Sequence, residues 1–145
     1  MNTTREQFLE ICRQFPLRLV MVFGSRAAEM VAFLRGEKES MSVGGSDVDV
    51  AVLGKSALSV EQKVTLGLAL ESLLGVERVD LFSLGECDPF LAANAIRGER
   101  LFAEDSDDAD EYELYVLRRA GDLAELERER MALILREETP RYDAG

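Results

Sequence analysis

Histidine is absent from the 145-residue chain, and its two cysteines, Cys12 and Cys87, stand far apart with no CxxC or other ligand spacing around them. These gaps argue against a zinc site and against any mechanism that uses imidazole as its base. Two unpatterned cysteines fit buried thiols in a reducing compartment. Basic residues are in deficit, with 17 Lys and Arg against 28 Asp and Glu and a formal net charge of −11. Binding to a nucleic-acid backbone is driven by Lys and Arg that displace counterions from phosphates, so direct nucleic-acid binding is not expected. No segment approaches the roughly 20 apolar residues of a spanning helix. The first residues, MNTTREQFLEICRQF, scatter charge through their apolar positions and do not read as a signal peptide. A cytoplasmic protein without a membrane role is expected. The GxxxxGK[ST] and GxGxxG patterns are missing too, which removes support for a P-loop NTPase or a dinucleotide-binding domain.

Hydrophobic residues make up 47% of the chain, and its length suits one domain with a genuine core. Thr3 or Thr4 can cap a first helix carrying Phe8, Leu9, Ile11, Cys12 and Phe15, which Pro16 ends. Leu17 to Phe23 is apolar except for Arg18 and reads as a strand covered on both faces. Ser25 then reads as the N-cap of a helix with apolar positions from Ala27 to Leu34. Residues 36–46 (GEKESMSVGGS) read as an exposed loop, followed by a strand from Asp47 to Leu53. An amphipathic helix from Val60 to Leu74 ends at Gly75, Val76 to Ser83 is a third strand, and Pro89 opens a short helix through Ile96. Arg100 to Phe102 reads as a short edge strand. Residues 104–113 hold seven acids and no base, which suits a solvated linker or a helix N-terminus. A long helical pattern runs from Tyr112 to about Glu137, with a break expected at Gly121-Asp122. The chain thus divides into a main domain, 1–103, and an acidic linker with a C-terminal helical segment, 104–145, and the alternation of elements argues for a layered α and β domain with one sheet.

Chemistry concentrates in three places. Asp47 and Asp49 are two apart on a strand and so project from one face, with Val48, Val50 and Val52 on the other. Two carboxylates this close repel, and a divalent cation removes the cost; oxygen-only ligands select Mg²⁺ or Mn²⁺. Asp80 interrupts the third apolar strand, and if that strand neighbours the second, three carboxylates can hold two metal ions about 3.5–4 Å apart, as in-line displacement at phosphorus uses them. Gly24-Ser25 ends a strand and begins a helix, where free backbone N–H groups and the helix dipole favour phosphate; Arg26 adds a charge. Each element alone has an ordinary structural reading, as a capping turn, a solvated strand start, or a pair between Asp80 and Arg78. Their coincidence at the ends and interruptions of apolar strands favours a site.

These residues, as VMVFGSRA, GGSDVDVAVLG and VERVDLFSL, resemble the minimal nucleotidyltransferases of the DNA polymerase β superfamily, from about Leu17 to Phe102. The resemblance implies an α+β fold, a mixed β-sheet flanked by helices, and Mg²⁺-dependent transfer of AMP from ATP to a hydroxyl. It implies that Gly24, Ser25 and Arg26 hold the nucleotide, that Asp47 and Asp49 bind both metals, and that Asp80 binds the catalytic metal and helps deprotonate the acceptor. Many small members of this family are antitoxins of HEPN-domain ribonuclease toxins, some of which they adenylylate on tyrosine. One departure is the spacing: 21 residues, 26–46, separate Ser25 from Asp47, where the family has about half as many. This length reads as an extended helix followed by a longer loop. A non-catalytic module that neutralises a partner by occlusion is the rival reading, and nucleotidyl transfer to a small molecule is a third. The stripe Leu114, Leu117, Leu123, Leu126, Leu133 and Ile134 suits packing on the domain's own sheet, with a partner groove or homodimer contact as the alternative.

Overall fold

The structure, a computed structural model, describes residues 3–138. In chain order its elements are α1 (Thr3–Gln14), β1 (Leu17–Phe23), α2 (Ala27–Leu34), β2 (Val48–Gly54), α3 (Val60–Leu74), β3 (Val79–Ser83), α4 (Pro89–Ile96), β4 (Glu99–Ala103) and α5 (Ser106–Glu138). The strands form one sheet in the order β3-β2-β1-β4. β1 pairs antiparallel with both β2 and β4, while β3 runs parallel to β2, so the sheet is mixed, as expected. A parallel pair needs a long crossover, and α3 supplies it.

Strand alternation divides the core into two layers. Val20, Val22, Val48, Val50 and Val52 face α1, α2 and α3 and pack with Phe8, Met30, Phe33, Leu66 and Leu70. Leu19, Met21, Phe23 and Ala51 face the other way, onto α4 and the first half of α5. That second interface is lined by Ala92, Ala93, Ala109 and Ala120, small side chains that let helices lie close to the sheet. Each fully buried valine or leucine adds about 1.5–3 kcal/mol of transfer free energy, which makes the doubly covered β1 and β2 the stable centre. The cysteines are both free; burial pushes the Cys12 thiol up to about 12. Among the described residues no helix is long and apolar enough to cross a membrane.

Local chemistry explains the boundaries. α3 starts with a capping box, Ser59 accepting from the Gln62 N–H while the Gln62 side chain accepts from Ser59, and it ends at Gly75 in the left-handed region. Asp88 caps α4 with Pro89 in its first turn. Ser25, however, does not cap α2: the N-cap is Arg26, with no side-chain cap bond. Nor is the extra length in an extended helix. α2 has eight residues and closes in a Schellman turn, Glu37 N–H to Ala32 O and Gly36 N–H to Phe33 O, with Gly36 at φ +77°. Residues 35–47 therefore form the loop, anchored on the core by buried Met41.

Of the two strands that carry the aspartates, β2 is shifted one residue on, to Val48–Gly54, so Asp47 lies just before it, and β3 is shorter than expected, beginning at Val79. α5 differs most. From Asp107 on, the acidic run forms its first turns, and the Asp105 carboxylate just before the helix accepts from the N–H groups of Asp107 and Asp108. Asp108 pairs with Arg18, Asp110 and Glu113 pair with Arg100, and Glu104 pairs with Lys55. The helix also continues through Gly121 without a break. Of the apolar stripe, Leu117 packs on the sheet-side core, whereas Leu114, Leu126 and Leu133 are exposed.

Candidate functional site

The end of β1 and the start of β2 are adjacent because the strands are antiparallel, with Phe23 opposite Asp49. The chain turns sharply after Phe23 through Gly24 at φ +80°. A Cβ there would lie 2.5 Å from Asp49 Oδ2, so the absent side chain leaves the space the carboxylate uses. On its other side β2 is in register with β3, and Asp49 is the direct partner of Asp80. Neighbouring strands lie about 4.8 Å apart and register partners share a face, which brings the two carboxylates together. Asp47 joins them from the residue before the strand.

Burial first, then the charges of Asp80 and Asp47, push the Asp49 carboxyl above the ordinary aspartate range. Arg78 is the nearby cation, with Nη2 at 3.2 Å from Asp80 Oδ1 and Nε at 3.6 Å from Asp47 Oδ2. Among the described residues no three carboxylate, cysteine or histidine side chains are drawn together tightly enough to cage a metal ion. Asp49 and Asp80 are thus register partners, Asp47 precedes the strand, and the carboxylates of Asp47 and Asp80 are directed to Arg78. A cleft of about 220 Å³ opens beside Asp47, between Val43–Ser46 and Gly75–Arg78.

Ser25 is exposed at the head of α2, and its hydroxyl is 2.6 Å from that of Ser46. Arg26 does not point at the carboxylates. Its guanidinium is nearly buried and donates to Ser42 O (2.7 Å), Ser46 O (3.3 Å) and Glu29 Oε1 (2.8 Å). The structure therefore brings together Gly24, Ser25, Asp47, Asp49 and Asp80, and turns Arg26 inward to the loop. Two residues that sequence reasoning missed, Glu29 and Ser46, complete this arrangement. Glu29 had a signal: it stands three residues after Arg26, the spacing of ion-pair neighbours on a helix. Ser46 carried none beyond its place before Asp47.

The sequence profile of the family described as polymerase beta, nucleotidyltransferase matches residues 6–107. Several solved structures share the fold. A mutant of the toxin-antitoxin MntA-HpeT has a chain matched at a TM-score of 0.65 and 21% identity, over 90% of this chain and 94% of that one. A toxin-antitoxin crystallised with AMP-PNP matches at 0.61 and 22%, over 90% and 94%. The complex of a tri-AMPylated Shewanella oneidensis HEPN toxin with an MNT antitoxin matches at 0.59 and 23%, over 92% and 96%. No protein of curated function matches the chain.

Proposed function

The chain belongs to the polymerase beta nucleotidyltransferase family, and from that premise we propose that it transfers AMP from ATP to a hydroxyl of a partner protein, acting as the antitoxin of a HEPN-domain toxin. The observation that carries the transfer is the rung of Asp49 and Asp80 beside Asp47, set against the Gly24 turn. The partner is inferred from the fold neighbours, which come from toxin-antitoxin complexes, one with an AMPylated HEPN toxin and one with an ATP analogue.

The donor chemistry of these residues suits a divalent cation, for which Asp47 and Asp80 would have to turn from Arg78. Their donors are oxygen only, they crowd negative charge around Asp49, and the missing Cβ of Gly24 keeps room at Asp49 Oδ2. Asp47, Asp49 and Asp80 would hold Mg²⁺ or Mn²⁺, which when bound would neutralise triphosphate charge and polarise the phosphoryl oxygens. The chain itself does the remaining work. Backbone N–H groups after Gly24 and the Ser25 hydroxyl bind phosphate oxygens at the head of α2. Asp80 takes the proton from the acceptor hydroxyl, whose oxygen bonds to the α-phosphorus as the bond to the bridging oxygen breaks and pyrophosphate leaves. A tyrosine of the toxin is the proposed acceptor.

The test is to co-express the protein with a HEPN-domain toxin encoded beside it and to map modified residues on the toxin by mass spectrometry. The wild type should leave adenylate on a tyrosine and restore growth. The Asp47→Asn/Asp49→Asn double variant should do neither. A double variant that still restores growth would replace transfer by simple occlusion of the toxin.

A further inference from the structure

The loop over residues 35–47 spans the distance between the two halves of the proposed site, and its attachments are concentrated at its end. Arg26 and Glu29, on successive turns at the head of α2, form an ion pair with side chains 10% and 21% exposed. Both turn toward the loop. Ser42 is gripped from two sides, its N–H donating to Glu29 Oε1 at 2.6 Å and its carbonyl accepting from Arg26 Nη2 at 2.7 Å. Lys38 Nζ adds a bond to the Ser42 hydroxyl at 3.2 Å, and Met41 is buried in the core beside it. Four residues on, Arg26 Nη1 reaches the carbonyl of Ser46, whose hydroxyl also pairs with Ser25. Ser46 is bonded directly to Asp47.

Resting on the proposed function, we infer that Arg26 and Glu29 are positioning residues for the reaction: together they clamp the loop so that Asp47 is delivered to the Gly24-Ser25 turn. Arg26 acts on the reaction through Ser46 and Asp47, not by touching nucleotide. The arrangement solves a physical problem that the long spacing creates. A free loop of this length lets Asp47 sample many positions, and a displacement of about 1 Å at a reacting group can cost 10²-fold in rate. Two carbonyl bonds from one planar guanidinium, with Glu29 holding that plane, remove this freedom at both ends of the Ser42–Ser46 segment. Lysine offers a single point charge and cannot make the same fork.

A direct contact between Arg26 and triphosphate makes the opposite prediction for Glu29. Removing the glutamate would then free the guanidinium, delete a negative charge, and tighten ATP binding. Full-length wild type, Arg26→Ala, Arg26→Lys, Glu29→Ala and the double alanine variant separate the two by steady-state transfer kinetics and by amide exchange at Ser42 read by NMR. The clamp predicts that both single alanine variants lose kcat by up to about 10²-fold with KM for ATP little changed. It predicts that the double variant is no worse than either single one, because the two side chains act as a unit. It also predicts that Ser42 exchanges faster in every variant, Arg26→Lys included. A lower KM for ATP in Glu29→Ala, additive losses, or unchanged Ser42 exchange in a folded Arg26→Ala protein would overturn it. Arg26→Lys, which keeps the charge but not the fork, provides the exchange reading if an alanine variant fails to fold. Should wild type transfer no nucleotide, the proposed function falls, while the exchange data still judge the clamp.

Discussion

Gly24 and Asp49 show how a single missing methyl group shapes the site. Any side chain at Gly24 meets two penalties, a left-handed φ and a Cβ placed against Asp49 Oδ2. Gly24→Ala should therefore lose about 1–2 kcal/mol from backbone conformation alone, measurable as a lower urea midpoint. Calorimetry should show weaker Mg²⁺ binding as well, because the Asp49 carboxylate must move. Glu29 gives a pH prediction at the same scale. Its hydrogen bond from Arg26, followed by that from the Ser42 N–H, holds its carboxyl below the ordinary glutamate range. Over the window between the depressed and the ordinary value the unfolded chain binds more protons, so stability rises with pH there. The contribution is complete above the ordinary glutamate value and is lost as pH falls through the depressed one. Urea midpoints of wild type and Glu29→Gln should thus differ near neutrality and converge on acidification; a gap independent of pH would contradict this.

Elements whose residues repeat with a clear period were legible in the sequence. α3 and α4 fall where the apolar spacing, Gly75 and Pro89 put them, and β1 follows its apolar run from Leu17 to Phe23. The Asp49–Asp80 rung was legible on one condition, that β2 and β3 be neighbours, which the α3 crossover satisfies. The loop itself was legible at 36–46 from its Gly, Ser and charge, but its anchoring was not, because side chains grip backbone groups there and leave no periodic trace. Ser25 misled for a related reason: a residue suited to capping turns instead to a partner 21 positions on. In α5 Gly121 does not break the helix. Its cost of about 1 kcal/mol is small in a 33-residue helix whose first turns are capped and ion-paired. A methyl group added at Gly121 would meet nothing within 4 Å, so Gly121→Ala should stabilise by about 0.5–1 kcal/mol. Asp105→Ala should cost about 1 kcal/mol through the lost cap. Circular dichroism during urea unfolding measures both, and a Gly121→Ala variant with reduced helicity would show that the helix needs flexibility at that point.

At the scale of the molecule, the net charge of −11 separates into functions. Three acids converge at the ends of β2 and β3, and four of the acidic run are paired with Arg18, Lys55 and Arg100 along the start of α5. The sheet explains why the first group is viable. β1 and β2 are covered on both faces and hold the carboxylates on a rigid frame, while the clamped loop closes the gap between that frame and the α2 head. Such a frame suits nucleotidyl transfer, in which the group that moves contains the α-phosphorus. The measurement that tests this most directly compares ATP labelled at the α-phosphate with ATP labelled at the γ-phosphate, each incubated with Mg²⁺, the protein and the proposed HEPN-domain partner. The α label should become covalently attached to the partner, the γ label should leave as pyrophosphate, and Asp80→Asn should abolish attachment. Attachment of the γ label, or of neither label, would contradict the assignment.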